Sequence, residues 1–300
     1  MSSVLVLGGV SFDTIIYLDA LPDPVPRTLF SRSFHETIGS TGAGKALNLA
    51  KLGLDTTLHA LIGDDTYGQR IRAYLRDNDL ALLHDLDPQG TARHVNLLDA
   101  DGRRISIFLH ADTFPPAVDM QRLNAAIAAH DYIVLNIMSY CRDLIPLIQQ
   151  QHKPIWCDIH DYDGANSYHD DFIHAADYLM LSSDALPEYR PFMRRMIGAG
   201  KQLVVCTHGK HGASALTAAG EWIEQPSIPS YAFKDSNGAG DAFFAGVLFG
   251  HTRGFPPQQC LRLGALMGGL CITSEELALP TLNRTLLAHE YQRVFGERLW

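Results

Sequence analysis

The sequence has no excess of positive charge. Its 300 residues include 24 lysines and arginines against 33 aspartates and glutamates, which gives a formal net charge of −9. Nucleic acids and anionic membranes are bound mainly through basic surfaces, so this balance argues against both as partners. An anionic ligand must therefore be held by local geometry, because the field of the whole protein repels it.

Paired cysteines and long apolar runs are also lacking. The five cysteines are scattered, none stands in a C-x-x-C pair, and their odd number argues against a disulfide framework or a zinc site. No segment approaches the roughly 18 apolar residues of a membrane helix. The N-terminal stretch MSSVLVLGGV is too short for the apolar core of a signal peptide and has no basic start. We therefore expect a cytoplasmic protein.

The residues that are present favour an α/β fold with a large core, since 46% of them are hydrophobic and 19% charged. Short aliphatic runs recur with helical patterns between them, and several are continuous, as strands covered on both faces are. These runs are 3-SVLVLGG-9, 57-TLHALIG-63, 131-DYIVLNI-137, 154-PIWCDI-159, 177-DYLMLS-182 and 202-QLVVCTHG-209. They predict a mainly parallel central sheet flanked by helices.

Two segments, about 27–39 and 91–110, interrupt this pattern with alternating and more polar strands. The second bends at the turn signal Asp101-Gly102, and together they predict a small antiparallel β lid. No internal repeat or long linker divides the chain, so we expect residues 1–300 to form a single domain. Exposed strand edges invite pairing, and a homodimer in which two lids cover one another is a hypothesis that follows.

The first glycine-rich stretch, 39-GSTGAGKA-46, matches the P-loop pattern G-x-x-x-x-G-K-[ST] except at Ala46, where the hydroxyl that would bind Mg²⁺ is missing. The segment before it is polar and alternating, whereas a P-loop follows a buried strand. Two other interpretations remain open. The glycines allow a sharp turn from the lid into a helix, or they let a small polyol approach the backbone. In the latter case Lys45 and Asn48 are the available polar side chains.

The second stretch, 235-DSNGAGDAFFAG-246, places Gly238, Ala239 and Gly240 at the start of an apolar helical run. Uncovered backbone N–H groups at a helix start form a pocket that attracts phosphate. Asp241 beside this pocket would repel a resting phosphate, but phosphoryl transfer to an alcohol requires a base in that place. A helix cap is the alternative role of Asp241, and the residue types alone do not decide between the two.

The segment 235-DSNGAGDAFFAGVL-248 resembles the C-terminal signature of the ribokinase-like (PfkB) carbohydrate kinases. Other segments resemble the same family in the same order: Gly8, Gly9 and Asp13, then 39-GSTGAGKA-46, 63-GDDTYG-68 and 207-THGKHGA-213. The resemblance implies a ribokinase-like fold. It also implies a kinase that uses ATP and Mg²⁺ to phosphorylate a hydroxymethyl group of a sugar, a nucleoside or a related polyol.

The resemblance also implies roles for single residues. Asp241 matches the base that deprotonates the acceptor, and Gly238, Ala239 and Gly240 match the N–H donors around the transferred phosphate. Asp235 matches a position that in some members helps to bind a monovalent cation such as K⁺. The implied substrate-binding residues are Asp13, Gly39, Ser40, Gly44 and Asn48, and the implied nucleotide-binding residues are Thr207, Gly209, Gly212 and Asn237.

The match to the family fails at two places. Gly44 stands where the family has an asparagine that contacts the sugar, and Ser40 replaces the second glycine of a pair. The resemblance therefore does not determine which acceptor substrate is used. The family often has Asn-x-x-Glu to order water around Mg²⁺, whereas this place reads 182-SSDALPE-188. These losses leave a second hypothesis, a catalytically weak sensor of sugar or nucleotide with the same fold, although the intact Asp241 argues against it.

Overall fold

The computed structural model describes residues 2–100, 102–110 and 117–300, so Asp101 of the predicted turn lies outside the described residues. The strands are β1 (Ser3–Leu7), β2 (Ser11–Tyr17), β3 (Ser33–Gly39), β4 (Asp55–Ile62), β5 (Ala81–Leu86), β6 (Arg93–Leu98), β7 (Arg104–His110), β8 (Tyr132–Leu135), β9 (Ile155–Asp158), β10 (Tyr178–Ser182), β11 (Leu203–Thr207), β12 (Ala213–Thr217) and β13 (Trp222–Gln225). The helices are α1 (Thr41–Lys51), α2 (Thr66–Asp77), α3 (Met120–Ala129), α4 (Ile145–Gln150), α5 (Asp170–Ala175), α6 (Tyr189–Gly198), α7 (Ala239–Thr252), α8 (Pro257–Cys271) and α9 (Arg284–Phe295).

The larger sheet confirms the predicted parallel architecture. In the described part of the chain its order is β13-β12-β11-β10-β9-β8-β1-β4-β5. Every described pair from β11 to β5 is parallel, whereas β12 is antiparallel to both of its neighbours, β11 and the edge strand β13. Val4 and Val6 of β1 pack into one buried cluster, and Leu5 and Leu7 pack into another on the opposite face. Burial on both faces explains why the aliphatic runs are continuous.

The smaller sheet has the order β3-β2-β6-β7. Two antiparallel pairs, β2 with β3 and β6 with β7, are joined by a parallel pair between β2 and β6. The predicted lid is therefore present, but the sequence analysis missed β2 and began the first lid strand too early. Residues 27–32 form no strand, and the prolines before them, Pro22, Pro24 and Pro26, have no N–H group to donate to a ladder.

Helix α7 is buried on nearly all sides, from Asp241 to Gly250. It packs against α1 and α8, and small residues allow the close approach to α8: a Cβ atom added to Gly246 would lie 2.6 Å from the carbonyl oxygen of Leu263. This packing fixes the N-terminus of α7 next to the carboxyl ends of the parallel strands. Within the described ranges, no helix has the length and apolar character to cross a membrane.

Candidate active site

A cavity of about 550 Å³ lies between the two sheets. The smaller sheet contributes Asp13 and Asn96, the carboxyl end of β9 contributes Asp158, and the start of α7 contributes Gly240 and Asp241. Ligands of α/β proteins are usually bound outside the carboxyl ends of parallel strands, which is the place of this cavity.

The start of α7 presents free backbone donors to the cavity. Gly238 precedes the helix in the left-handed conformation, with a φ of 78°. Among the described residues, the N–H groups of Gly238, Gly240 and Asp241 have no acceptor, whereas the N–H of Ala239 donates to the carbonyl of Ser236 at 3.2 Å. A Cβ atom added to Gly240 would meet nothing within 4 Å. The structure thus supports an anion pocket at this helix start, but Ala239 is not one of its donors.

Asp241 lies in the first turn of α7 and does not cap it. The N-cap residue is Gly238, and α7 has no capping bond from a side chain. One carboxylate oxygen of Asp241, Oδ1, accepts a hydrogen bond of 2.7 Å from Lys45 Nζ. The other oxygen, Oδ2, has no hydrogen-bond donor among the residues that the structure describes. The side chain is 10% exposed and lines the cavity, so Oδ2 is the oxygen that is able to accept a proton.

Lys45 is completely buried between two carboxylates. Its Nζ lies 2.7 Å from Asp241 Oδ1 and 3.3 Å from Asp158 Oδ2. Burial alone lowers the pKa of a lysine, but the charges of Asp241 and Asp158 outweigh this cost and raise the pKa of Lys45 above its ordinary value. The P-loop hypothesis is wrong, because β3 belongs to the smaller sheet and Lys45 has no exposed surface and is paired with two carboxylates.

Asp13 lies on the opposite wall of the cavity. Its Oδ2 accepts a hydrogen bond of 3.2 Å from Asn96 Nδ2. Its Oδ1 is buried without a hydrogen-bond donor, although His94 Nδ1 lies 3.2 Å away. A buried acceptor without a partner is costly, so Oδ1 is prepared for a donor from a ligand. Gly39 leaves room for this carboxylate, since a Cβ atom there would lie 2.0 Å from Asp13 Oδ2.

A comparison with protein-family models matches residues 1–284 to the pfkB family carbohydrate kinases. The chain belongs to this family. It is 34% identical over 295 residues to an acarbose 7(IV)-phosphotransferase from Actinoplanes sp., covering 95% of this chain and 97% of the relative. It is 25% identical over 288 residues to a nucleoside kinase from Methanothermobacter thermautotrophicus, covering 91% and 90% of the two chains.

Among solved structures, the microbiome-derived acarbose kinase Mak1 is similar to this pfkB kinase with a TM-score of 0.86, 28% identity and 99% of both chains covered. The ribokinase-like fold predicted from the sequence is thereby confirmed. The family and these relatives show that the protein is an ATP-dependent kinase.

Only some of the predicted substrate-binding residues of this kinase line the cavity. Asp13 and Ser40 line it, while Gly39 and Gly44 lie behind the wall. Asn48 does not reach the cavity: it is 1% exposed, and its amide donates to the carbonyls of Gly44 and Leu277. The prediction that Asn48 contacts substrate is therefore wrong. Asn48 lies one helical turn after Gly44 and deeper in the protein, where its side-chain amide donates to backbone carbonyl groups.

The predicted nucleotide-binding residues are also divided. Asn237 lines the cavity, whereas Thr207, Gly209 and Gly212 lie outside it, at the end of β11 and in the turn that follows. Gly212 adopts a φ of 100°, and a Cβ atom there would lie 2.1 Å from the carbonyl oxygen of Gln225, so its glycine is required by the turn itself.

Asp235, the predicted cation ligand, is buried and bonded to protein groups. Its Oδ2 accepts a hydrogen bond of 2.6 Å from the hydroxyl of Tyr17, and its Oδ1 accepts one of 2.7 Å from the N–H of Asn237. These bonds tie β2 of the smaller sheet to the segment that leads into α7.

Sequence reasoning missed the cavity residues of the smaller sheet. His94 and Asn96 of β6 and Ser106 and Phe108 of β7 all line the cavity. Ser106 Oγ donates to Asn96 Oδ1 at 2.6 Å, and the rings of His94 and Phe108 lie 4.0 Å apart. The signal was alternation in the lid strands, since every second residue of β6 and β7 faces the cavity.

Proposed function

We propose that this kinase transfers the γ-phosphoryl group of ATP to a hydroxymethyl group of a sugar-type acceptor, with Asp241 as the base. One observation carries the proposal: the free oxygen of Asp241 and the free amides at the start of α7 line the same cavity as Asp13. A base beside anion donors is what phosphoryl transfer to an alcohol needs.

In this proposal, the residues on each wall of the cavity bind a different part of the two substrates. The buried Oδ1 of Asp13 accepts a hydrogen bond from an acceptor hydroxyl and orients the sugar. Asp241 Oδ2 takes the proton of the attacking hydroxyl. The N–H groups of Gly238, Gly240 and Asp241 donate to the oxygens of the transferred group, where negative charge spreads in the transition state.

The smaller sheet acts as a lid in this proposal, and residues 1–300 work as one kinase domain. The lid contacts the anion pocket through Tyr17 and Asp235, and through a hydrogen bond of 3.2 Å from Arg104 Nη1 to Asn237 Oδ1. Closure over the cavity excludes water, which would otherwise compete with the sugar as the acceptor. A cytoplasmic location stays a prediction.

Mg²⁺ is proposed to enter with ATP. Among the described residues, no three or more His, Cys, Asp or Glu side chains are clustered so that they could hold a metal ion. Mg²⁺ typically keeps several waters and is held mainly by the phosphates of its nucleotide, so it needs few protein ligands. When bound, it would neutralise part of the phosphate charge. We place the nucleotide along the carboxyl ends of the strands, from α7 towards Thr207, Gly209 and Gly212. K⁺ at Asp235 stays a prediction.

A sugar is favoured as the acceptor because the family and the 34% identical relative are carbohydrate-directed. We propose acarbose or a similar oligosaccharide as the first acceptor to test. A nucleoside is the second candidate, because a 25% identical relative is a nucleoside kinase and the cavity offers the rings of His94 and Phe108 for stacking.

The test is an assay of acceptor-dependent ADP release with acarbose, maltose, ribose, fructose, inosine and cytidine at equal concentrations. We expect ADP release above the ATP-only background with at least one sugar, and an increase in melting temperature when that sugar is added with a nonhydrolysable ATP analogue. Turnover with nucleosides alone would establish the second candidate. No turnover with any acceptor would contradict the proposed activity.

A homodimer through the lids is proposed from the outer face of the smaller sheet. Phe34, Ile16, Leu97 and Ile105 lie opposite one another across its four strands and form one apolar row. Phe34 is 68% exposed and the neighbouring Ile107 is 45% exposed, an apolar patch that is typical of an interface. A second copy of the same row would cover it.

We expect Ile107→Glu to convert a dimer into a monomer, because a carboxylate buried between two lids lacks a partner. Light scattering should give twice the chain mass of 33.1 kDa for the wild type and the single-chain mass for the variant. Leu86→Glu changes an exposed leucine of β5, outside the smaller sheet, and should remain dimeric. A monomeric wild type would refute the proposal.

A further inference from the structure

Two carboxylates of the cavity wall share one buried ammonium group. Asp158, at the end of β9, and Asp241, at the start of α7, both line the cavity, whereas Lys45 of α1 lies behind them with no exposed surface. Lys45 therefore does not reach a ligand in the cavity and acts only through its two partners. None of the roles proposed above for the cavity residues belongs to Lys45.

The cost of this arrangement indicates a purpose beyond stability. Burying charged groups requires expensive desolvation, and buried ion pairs can often be replaced by apolar residues without loss of stability. Without the ammonium, two neighbouring carboxylates would face the phosphate of ATP and repel it. Lys45 between them reduces the net negative charge of this cluster by one, and His160 Nδ1 lies 3.5 Å from Asp158 Oδ2 at the cavity.

The missing side chain of Gly44 makes the ion pair sterically feasible. A Cβ atom added to Gly44 would lie 2.7 Å from Asp241 Oδ2 and 3.0 Å from Asp241 Cβ. Any side chain there would therefore force either the carboxylate of Asp241 or α1 to move. Gly44 and Lys45 are adjacent in α1, and they act on the same carboxylate from two sides.

We propose that Lys45 is a positioning residue of the phosphoryl transfer: it holds Asp241 through Oδ1, so that Oδ2 is left to take the acceptor proton, and it offsets the charge of Asp158 beside the phosphate. In the step itself, the acceptor oxygen bonds to the γ-phosphorus, its proton passes to Asp241 Oδ2, and the bond from the γ-phosphorus to the bridging oxygen breaks to release ADP. This inference rests on the proposed role of Asp241.

The test separates positioning from charge. In Lys45→Met, the base loses its anchor and the cavity gains one uncompensated charge. We expect kcat to fall by about 10- to 100-fold, since small misplacements of reacting groups cost about that much. The KM for ATP should rise, while the KM for the acceptor, which Asp13 binds on the opposite wall, should stay within about threefold.

The double variant Lys45→Met with Asp158→Asn restores the net charge but not the anchor. It should return the KM for ATP to near the wild-type value, while kcat stays low. The matched control is Lys201→Met, which removes a buried lysine that is 7% exposed and donates to the carbonyls of His174 and Ala176, away from the cavity. This control should lower the melting temperature with little change in kcat of the folded enzyme.

Two results would overturn the inference: a kcat of Lys45→Met within twofold of the Lys201→Met control, or a KM for ATP that the double variant does not restore. If Lys45→Met does not melt cooperatively, Lys45→Leu, which likewise has neither a donor nor a charge, is measured against the same expectations. Loss of activity in Asp241→Asn together with a normal Lys45→Met would leave the proposed function intact and reject the inference alone.

Discussion

Asp241→Asn is expected to lower kcat by about 10²- to 10⁴-fold, the usual contribution of a general base. The amide has nearly the shape of the carboxylate but is far too weak a base to take the proton of the acceptor hydroxyl. Binding of ATP should change little, because the free amides at the start of α7 remain. Acceptor-dependent ADP release measures the first effect, and calorimetry with a nonhydrolysable ATP analogue measures the second.

The control for Asp241→Asn is Asp77→Asn, which makes the same chemical change at an exposed side chain at the end of α2. Its kcat should equal that of the wild type. Because Asp241→Asn also removes one partner of the buried Lys45, a thermal melt must show that the variant is folded. Undiminished turnover in a folded Asp241→Asn protein would eliminate Asp241 as the base.

Gly44→Asn restores the residue that the family pattern has at this position, yet we expect it to lower kcat by about 100-fold. The added Cβ atom would lie 2.7 Å from Asp241 Oδ2, which is closer than such atoms approach, so either the base or α1 must move. A displacement of the order of 1 Å at a reacting group costs about this factor. The measurement is kcat for the best acceptor, with a thermal melt to confirm folding.

Gly198→Ala is the matched control for a glycine in a helix. It lies at the end of α6, where an added Cβ atom meets nothing within 4 Å, so activity should not change and stability should rise slightly if at all. If Gly44→Asn were as active as the wild type, the space at Gly44 would have no bearing on the position of Asp241. The claim that Gly44 makes the ion pair between Lys45 and Asp241 sterically feasible would then be wrong.

The structure changes the meaning of the missing asparagine. At the level of sequence, Gly44 was a lost substrate contact and supported the hypothesis of a catalytically weak sensor. In the folded protein, Gly44 makes room for Asp241, and the next residue, Lys45, binds it. His94 and Asn96 of the smaller sheet supply polar groups to the cavity in addition to Asp13. The loss of the asparagine is therefore no argument against catalysis.

Local pattern determined much of this protein. Continuous aliphatic runs specified the parallel strands because burial on both faces leaves no polar positions. Small residues before an apolar helical run specified the start of α7 and its free amides. The segment 235–248 by itself indicated the family. All of these features depend on residues close together in the chain.

Only the tertiary structure decided which side chains meet. Lys45 and Asp241 are 196 positions apart and Asp13 and Asn96 are 83 apart, so no local pattern reveals their pairing. Asn48 was predicted to contact substrate and is instead buried against backbone carbonyls, because the packing of α1, not its sequence, sets which face is inside. Sequence gives the direction of a side chain within its own helix or strand, whereas its partner and its burial depend on how distant elements pack together.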